Sequence, residues 1–236
     1  MRTLLIIPAF NEAACIGGVI GAVRQHFSGD IAVIDDGSED DTRQVAHDAG
    51  AVVLRHACNL GIGAAVQTGF LYALREGYDL VVRQDGDGQH DPAQIPRLLE
   101  VLERDEADIV VGSRFAGDSD YRSSAPRRIG IRILAWVVSR IARQKVTDPT
   151  SGFQALDRKA IRLFAADYPH DYPEVEATVM CFRHRLRLAE VPVRMRERSS
   201  GSSSITALQS IYYMLKVLLA IFVGVFRRNV VLVEER

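Results

Sequence analysis

The chain contains few cysteines and few aromatic residues. Its 236 residues include three cysteines, Cys15, Cys58 and Cys181, an odd number at spacings that resemble neither a disulfide framework nor a metal knuckle. We therefore expect a reducing compartment and packing roles for all three thiols. Aromatic residues make up 7% of the chain, and no nucleic-acid recognition motif is present, so nucleic acid is not an expected partner.

The chain also lacks a long apolar run. The N-terminal run 4–7 is far shorter than the ~7–15-residue core of a signal peptide, so nothing predicts secretion. The apolar stretch 205–226 is interrupted by polar residues, and its uninterrupted part, 217–226, is too short for the ~20 residues that span a bilayer. We expect residues 205–236 to form an apolar helical tail that lies in a membrane interface or packs against a partner.

Charge is unevenly distributed, although the formal net charge is only −1. Residues 1–113 contain 8 basic and 18 acidic residues, whereas residues 114–236 contain 21 basic and 12 acidic residues. The acidic front half suits metal binding. The basic rear half suits an anionic partner such as a phosphate, a nucleic acid or a lipid headgroup.

Short strands and amphipathic helices alternate along the front half. Runs rich in Leu or β-branched residues predict strands over 3–7, 31–34, 51–54, 79–83 and 108–111. Helical periodicity predicts helices over 12–26, 39–49, 62–76, 92–104 and, in the rear half, 129–143. Ser38 is the expected N-cap of the second helix, and Asp91 with Pro92 is expected to open the fourth. The alternation predicts one α/β domain over 1–204, with a mostly parallel sheet and helices on both faces.

The densest polar signal directly follows the predicted strand 79–83, in the string from Asp85 to His90. Asp85 and Asp87 are separated by one glycine, and such carboxylates can hold a hard divalent cation while leaving positions for diphosphate oxygens. A metal there would neutralise charge on a departing nucleoside diphosphate. A bare D-x-D is more often a solvated acidic turn, but this longer string at a strand end favours a metal site.

Two further motifs occupy turns between predicted strands and helices. The carboxylates of Asp35 and Asp36 can accept hydrogen bonds from a base or from ribose hydroxyls, although a simple capped turn would also explain them. The glycine-rich turn 59–65 opens a helix, where backbone N–H groups favour an anion. This turn lacks the third glycine of a dinucleotide fingerprint and the Gly-Lys-Ser/Thr of a P-loop, which disfavours dehydrogenases and NTPases.

Five motifs in this order resemble glycosyltransferase family 2, and within it the polyprenyl-phosphate sugar synthases of the dolichol-phosphate mannose synthase type. They are Pro8-Ala9-Phe10-Asn11-Glu12, Asp35-Asp36-Gly37-Ser38, Asn59-Leu60-Gly61-Ile62-Gly63, Asp85-Gly86-Asp87-Gly88-Gln89-His90 and Gly112-Ser113-Arg114. The likeness covers residues 3–204. It implies a GT-A fold, a nucleotide-sugar donor, an inverting mechanism and Mg²⁺ or Mn²⁺ as cofactor.

The resemblance also assigns roles to residues. Asp85, Asp87 and Gln89 would serve the metal and the diphosphate. The donor-binding residues would be Pro8, Ala9, Glu12, Asp35, Asp36, Asn59, Gly63, Asp85, Gly86 and Asp87. The catalytic candidates are Asp87, Arg114 and Asp148.

The acceptor-side candidates are basic or lie in a loop motif. Guanidinium groups bind phosphate with bidentate geometry, and the resemblance assigns acceptor binding to Arg114, Arg127, Arg128, Ser151, Gly152 and Arg198. Arg198 opens an R-x-x-G-x-S loop, in which Ser204 stands where the family often has lysine. A solvated basic face is the alternative for the arginines.

The acceptor determines whether a base is needed. An ionised phosphate can attack without one, whereas a sugar hydroxyl needs a carboxylate, for which Asp148 is the candidate. With a phosphate acceptor, we expect Asp148 to hold a turn or an arginine. Glu174 and Glu176 could contact sugar hydroxyls or pair with surface arginines. His90 could assist the metal site, and Trp136 could mark a membrane interface or pack in the core.

These features favour an inverting glycosyltransferase that moves a hexose from a GDP- or UDP-sugar to a polyprenyl phosphate. It would be cytoplasmic and peripheral at the inner face of the cell membrane, and a homo-oligomer is open. One alternative is a hydroxyl acceptor in a glycan or metabolite. Others are a nucleotidyltransferase, which would need a glycine-rich basic loop after the first strand, and a non-catalytic nucleotide-sugar-binding module, which would leave the rear arginines unexplained.

Overall fold

The computed structural model describes residues 1–117, 125–195 and 216–223. Seven strands lie in these ranges: β1 Thr3–Ala9, β2 Asp30–Asp35, β3 Val52–Arg55, β4 Leu80–Arg83, β5 Ile109–Ser113, β6 Gln154–Leu156 and β7 Leu188–Pro192. The α-helices among them are α1 Ala13–Arg24, α2 Thr42–Asp48, α3 Ile62–Arg75, α4 Ile95–Glu103, α5 Ala125–Ala142, α6 Arg158–Ala166 and α7 Pro173–Arg183. A 3₁₀ turn, Pro92–Gln94, precedes α4, and residues 216–223 are helical.

The strands form one sheet in the order β3-β2-β1-β4-β6-β5-β7. Every neighbouring pair is parallel except those made by β6, which runs antiparallel to both β4 and β5. The carboxyl ends of β1, β2, β4 and β5 therefore meet at one edge. Because β6 runs the other way, the loop that precedes it arrives at the same edge. The predicted mostly parallel sheet is confirmed.

Helices cover both faces of the sheet, as predicted. In β1, Leu4 and Ile6 belong to the core shared with α3, α6 and α7, whereas Leu5 and Ile7 belong to the core shared with α1 and α4. Strands covered on both faces are apolar at every position rather than at alternate ones, which explains the unbroken Leu-Leu-Ile-Ile run.

An aromatic cluster joins α3 to the chain around α6. Phe70 is fully buried, and its ring centroid lies 5.4 Å from those of Phe164 and Tyr168. The rings of Phe164 and Tyr168 are 5.1 Å apart in an edge-on arrangement, a favoured geometry for aromatic pairs. This cluster fixes Tyr168, whose hydroxyl group reaches the site described below.

The expectation that Ser38 caps the second helix is wrong. Helix α2 begins at Thr42 with Asp41 as its N-cap residue. Ser38 Oγ instead accepts a hydrogen bond from the Asn11 N–H at 3.0 Å, which ties the loop after β2 to the loop after β1. The expected role of Asp91 is confirmed, since its side chain accepts from the Ala93 N–H at the start of the 3₁₀ turn.

A separate apolar tail over residues 205–236 is not supported. Of this stretch, residues 216–223 are described, and Val217 and Ile221 are buried in a cluster with residues of α5 and α7. The boundary after residue 204 and the rest of the stretch lie outside the described residues. Across the described ranges, no helix combines the length and apolar character needed to cross a bilayer.

The aromatic cluster predicts a stability difference between adjacent residues of α3. Phe70→Ala removes a fully buried ring, and we expect the free energy of unfolding to fall by about 3–5 kcal/mol. Leu71→Ala is the matched control, because Leu71 is 50% exposed and its truncation should cost at most about 0.5 kcal/mol. Urea unfolding curves measure both values, and equal losses would contradict the assigned core.

Candidate functional site

A cleft of about 380 Å³ lies at the carboxyl edge of β1, β2 and β4. Its walls are formed by Pro8, Ala9, Phe10, Glu12, Asp36, Asn59, Gly61, Ile62, Ala65, Asp85, Gly86 and Asp87. Eight of the ten expected donor-binding residues are in this set. The structure therefore brings together motifs that are up to 79 positions apart in the sequence, from Pro8 to Asp87.

Asp36 is held firmly on one side of the cleft. Its Oδ1 atom accepts hydrogen bonds from the His56 ring at 2.7 Å and from the Leu60 N–H at 2.9 Å, and its Oδ2 atom accepts from the Gly61 N–H at 2.9 Å. His56 is fixed in turn by Thr68, whose Oγ1 lies 2.9 Å from Nε2. The N–H groups that open α3 are thus oriented toward a carboxylate of the protein itself. His56 was not anticipated from the sequence.

Two expected donor-site residues support the cleft without lining it. Asp35 is fully buried, and its Oδ1 atom accepts from the Ser38 N–H at 2.9 Å, which shapes the turn after β2. At Gly63, a β-carbon would lie 2.4 Å from the carbonyl oxygen of Pro169. The glycine is required because the start of α3 packs directly against this loop.

Asp85 and Asp87 follow β4 and both line the cleft. The side chain of Asp85 is 37% exposed, so its carboxylate is accessible to a ligand. Asp87 Oδ1 accepts from the Gln89 N–H at 3.0 Å, across a turn in which Gly88 has a φ of 74°. Gln89 is the third expected metal residue, and its backbone rather than its side chain makes this contact.

The buried guanidinium group of Arg83 lies beneath Asp85. Arg83 Nη2 is 2.5 Å from Glu174 Oε1 and 3.7 Å from Asp85 Oδ1, while Nη1 donates to the Tyr168 hydroxyl at 3.1 Å. Burial alone would lower the pKa of the Arg83 guanidinium, but the oxygens of Tyr168, Glu174 and Asp85 raise it above its usual range. Glu174 therefore pairs with an arginine, but with a buried one rather than with the surface arginine expected.

His90 braces Asp85 from the other side. Its ring is 2% exposed, stacks on Phe153 at 5.0 Å, and accepts a hydrogen bond at Nδ1 from the Asp85 N–H at 3.1 Å. Nε2 lies 3.8 Å from Asp85 Oδ2. Burial lowers the pKa of His90, outweighing the nearby carboxylates that raise it. A neutral ring that accepts at Nδ1 carries its proton on Nε2, toward the Asp85 carboxylate.

The loop before β6 touches the acidic string. A β-carbon on Gly152 would lie 2.8 Å from Asp85 Oδ2 and 2.9 Å from Oδ1. Ser151 is 2% exposed, and its hydroxyl donates to the Gly112 carbonyl at 2.7 Å. Of these two expected acceptor residues, Gly152 thus lies against a cleft residue, and Ser151 anchors the loop to β5.

Arg114 and Asp148 form a buried ion pair at the end of β5. Arg114 Nε donates to Asp148 Oδ2 and Arg114 Nη2 to Oδ1, each at 2.7 Å, and the Arg114 N–H also donates to Oδ2 at 3.0 Å. The side chains are 6% and 0% exposed. Glu190 on β7 completes the arrangement by accepting the N–H groups of Thr147 and Asp148 at 2.9 Å. Both carboxylate oxygens of Asp148 are therefore occupied by Arg114.

The remaining acceptor candidates are only partly described. Arg128 is exposed on α5. The side chain of Arg127, together with Arg198 and Ser204, lies outside the described residues. The structure thus brings Gly152 to the cleft and pairs Arg114 with Asp148, while the contribution of the R-x-x-G-x-S loop stays a prediction.

The carboxylates in the cleft suit a divalent cation whose remaining ligands are oxygens of a bound phosphate. Within the described ranges, no group of three or more His, Cys, Asp or Glu side chains is arranged to enclose a metal. Asp85 and Asp87 supply two carboxylates on the cleft wall. An open site of this kind suits Mg²⁺ or Mn²⁺, which are commonly bound by one or two carboxylates together with phosphate oxygens.

Two curated relatives cover most of the chain. The undecaprenyl-phosphate mannosyltransferase of Micrococcus luteus is 32% identical over 219 residues, which cover 87% of this chain and 88% of the relative. The UDP-N-acetylglucosamine–dolichyl-phosphate N-acetylglucosaminyltransferase of Methanococcus voltae is 27% identical over 80% of this chain and 84% of the relative.

A similar solved structure is that of glucosyl-3-phosphoglycerate synthase from Mycobacterium tuberculosis in complex with Mn²⁺, UDP and glucosyl-3-phosphoglycerate. The TM-score is 0.74 at 22% identity, and the match covers 97% of this chain and 81% of the other. This likeness shows the shared α/β architecture of the GT-A type. Residues 4–166 match the family described as glycosyl transferase family 2, and with the relative at 32% identity this match shows that the chain belongs to that family.

Proposed function

We propose that this glycosyltransferase moves a hexose from a nucleotide-sugar to a polyprenyl phosphate with inversion at the anomeric carbon. The proposal is carried by one observation: Asp85 and Asp87 line the same cleft as Asp36 and Asn59. A metal-binding pair and a nucleotide-binding pair are thus within reach of one donor molecule. The curated relatives from M. luteus and M. voltae, whose names contain polyprenyl phosphates, support the acceptor class.

On the donor side, Asp36 receives the nucleoside. Its carboxylate lines the cleft and is fixed by His56 and the Gly61 N–H. Oδ2 accepts one of these hydrogen bonds, so a base N–H or a ribose hydroxyl can donate to its second lone pair. Pro8, Ala9 and Glu12 line the same cleft. The relatives differ in the sugar that they transfer, so the donor sugar and base stay open between GDP- and UDP-sugars.

On the diphosphate side, Asp85 and Asp87 would hold Mg²⁺ or Mn²⁺. Such a metal would supply positive charge that stabilises the departing nucleoside diphosphate. His90 fixes the backbone of Asp85 through its N–H, and Arg83 and His90 each have a nitrogen within 3.8 Å of the Asp85 carboxylate, which favours one orientation before the donor binds. Preorganised charge of this kind avoids reorganisation during the reaction.

On the acceptor side, the Arg114–Asp148 pair favours a phosphate nucleophile. A general base needs a carboxylate oxygen available to a hydroxyl proton, and both oxygens of Asp148 accept from Arg114 in a buried setting. A phosphate is already ionised and needs no base. Its oxygen attacks the anomeric carbon opposite the diphosphate, the carbon–oxygen bond to the diphosphate breaks, and the nucleoside diphosphate leaves with the electron pair.

We place this reaction at the cytoplasmic face of the cell membrane, where the protein is peripheral. Arg128, with Arg127 and Arg198, would receive the acceptor phosphate. A hydroxyl acceptor is the second candidate. The similar structure of glucosyl-3-phosphoglycerate synthase contains glucosyl-3-phosphoglycerate, a small molecule and not a lipid.

Removing one carboxylate of the metal pair should abolish metal-dependent donor binding. UDP or GDP with Mn²⁺ should raise the melting temperature of the unaltered protein, because ligand binding to the folded state stabilises it. In Asp87→Asn the Mn²⁺-dependent part of this rise should disappear. Glu103→Gln, an exposed acid at the end of α4, is the control and should behave as the unaltered protein. No nucleotide- and metal-dependent rise in the unaltered protein would overturn the donor assignment.

Adding one methyl group beside Asp85 should impair transfer without unfolding the protein. Gly152→Ala places a β-carbon 2.8 Å from Asp85 Oδ2, so the carboxylate must move, and a displacement near 1 Å can cost about 100-fold in rate. Gly21→Ala on α1 is the matched control, since no atom lies within 4 Å of its β-carbon. Radiolabelled-sugar transfer measures both variants, and a normal rate in Gly152→Ala would show that Asp85 has no fixed role.

Acceptor chemistry can be tested at Arg128. Arg128→Ala should raise the KM for polyprenyl phosphate by roughly 10- to 100-fold, the usual cost of losing a hydrogen bond to a charged group, and leave donor binding unchanged. Arg198→Ala should act similarly, and Arg162→Ala, on the exposed side of α6, is the control. The hydroxyl alternative predicts the reverse: both variants keep their activity, while Asp148→Asn loses transfer at a temperature at which circular dichroism shows it to be folded.

A further inference from the structure

The outward face of α5 has an unusual composition. The helix buries Ile131, Leu134, Ala135 and Val138. Its exposed positions are Arg128, Ile129, Arg132, Ile133, Trp136 and Arg140. At 3.6 residues per turn these six positions fall within an arc of about 140°, so they form one continuous face. We call it the α5 outer face.

Large apolar side chains on this face are well exposed. Trp136 is 65% exposed, Ile129 58% and Ile133 43%. Isolated exposed apolar residues are common on soluble proteins, but three on one helix face form a patch that indicates an interaction site. The guanidinium carbon of Arg140 lies 5.9 Å from the centroid of the Trp136 ring, so the basic and apolar groups are intermixed.

The charge on this face has a single sign. Arg128, Arg132 and Arg140 are its charged members, and the 18 residues of α5 include no Asp or Glu. Helices with large apolar groups and arginine on the same exposed surface bind the interface of anionic bilayers, with tryptophan at the headgroup level and arginine at lipid phosphates.

The helical segment 216–223 adds to the apolar surface. Val217 and Ile221 are buried in one cluster with Leu134 and Val138 of α5, which places the segment beside that helix. Leu219 and Phe222 are each 63% exposed. Such side chains can enter the acyl region next to the headgroups without spanning the membrane.

We infer that the α5 outer face binds the surface of an anionic lipid bilayer. A second copy of the chain is a poorer occupant, because a two-fold contact would set arginines of one copy against those of the other. Lipid phosphates neutralise the same arginines. The inference rests on the proposed function, since Arg128 belongs both to this face and to the acceptor set, so that a docked face would lie next to a membrane-borne acceptor phosphate.

Trp136 is the only tryptophan in the chain, so its fluorescence reports on this face directly. Vesicles of phosphatidylcholine with phosphatidylglycerol, containing no polyprenyl phosphate, should shift its emission to the blue, and brominated acyl chains should quench it. Pure phosphatidylcholine should bind more weakly, by roughly fivefold for each arginine that meets an anionic headgroup. No shift with anionic vesicles would overturn the inference, and so would a shift that depends on protein concentration without vesicles, which would indicate a second copy.

Variants that retain Trp136 test the contribution of the neighbouring isoleucines to vesicle binding. Ile129→Ser with Ile133→Ser should weaken vesicle binding by about tenfold or more, because several CH₂ groups no longer leave water. Leu71→Ser, at a residue of α3 that is 50% exposed, is the matched control and should bind as the unaltered protein. Equal binding by all variants would contradict a role for the α5 outer face.

Transfer to a short, water-soluble prenyl phosphate separates this inference from the proposed function. The double isoleucine variant should keep that transfer while losing vesicle binding. If the unaltered protein binds anionic vesicles but transfers no sugar to any polyprenyl phosphate, the proposed function fails and the binding surface stands. If it transfers sugar to the short acceptor without any fluorescence response to vesicles, the inference fails and the proposed function stands.

Discussion

The position of the Asp85 carboxylate is the constraint on which the rest of the site depends. Arg83 lies beneath it, His90 lies beside it, Gly152 packs against its oxygens, and the cleft is in front. Arg83 places positive charge 3.7 Å from this partly exposed carboxylate. Glu174 then balances Arg83, since an unpaired buried guanidinium would be costly. The geometry of the acidic string therefore depends partly on Gly152 and Glu174, which are far from it in sequence.

Strand β6 makes this meeting possible. Because it runs antiparallel between β4 and β5, the loop that precedes it returns to the carboxyl edge and delivers Gly152 to Asp85. The buried Arg114–Asp148 pair then holds the loop to the end of β5. Breaking such a pair strands a charge away from water, so it fixes the loop more strongly than a surface ion pair would. The same interaction supports the proposal that Asp148 is not a general base, so it bears on both the fold and the acceptor chemistry.

Much of the front half could be predicted from the sequence, because its signals are local. The unbroken apolar runs of β1 and β4 and the turns after them mark strands and their carboxyl ends without tertiary information. The rest depends on contacts between distant segments. β6 is three residues long, too short for any pattern, and its direction is set by its neighbours. The sequence places Gly63 among the ligand-binding residues, but the structure requires a glycine there because Pro169 packs against it. The only sequence signal for Arg83 is a charge at the end of an apolar strand.

The basic rear half does not act as one anion-binding surface, because the structure divides its arginines between two tasks. Arg114 is paired with Asp148, and Arg187 with Asp105 and Asp108, where hydrogen bonds from Arg187 and Lys159 outweigh burial and hold the pKa of Asp108 at about 2. These arginines hold the fold together. The exposed arginines of α5 lie instead among apolar side chains, on a helix without acids. The net positive charge of the rear half therefore overstates how many anions it can bind. Anion binding depends on where the exposed arginines lie. The same face of α5 also exposes Ile129, Ile133 and Trp136, a combination that supports the proposed lipid-linked phosphate over a phosphate in solution.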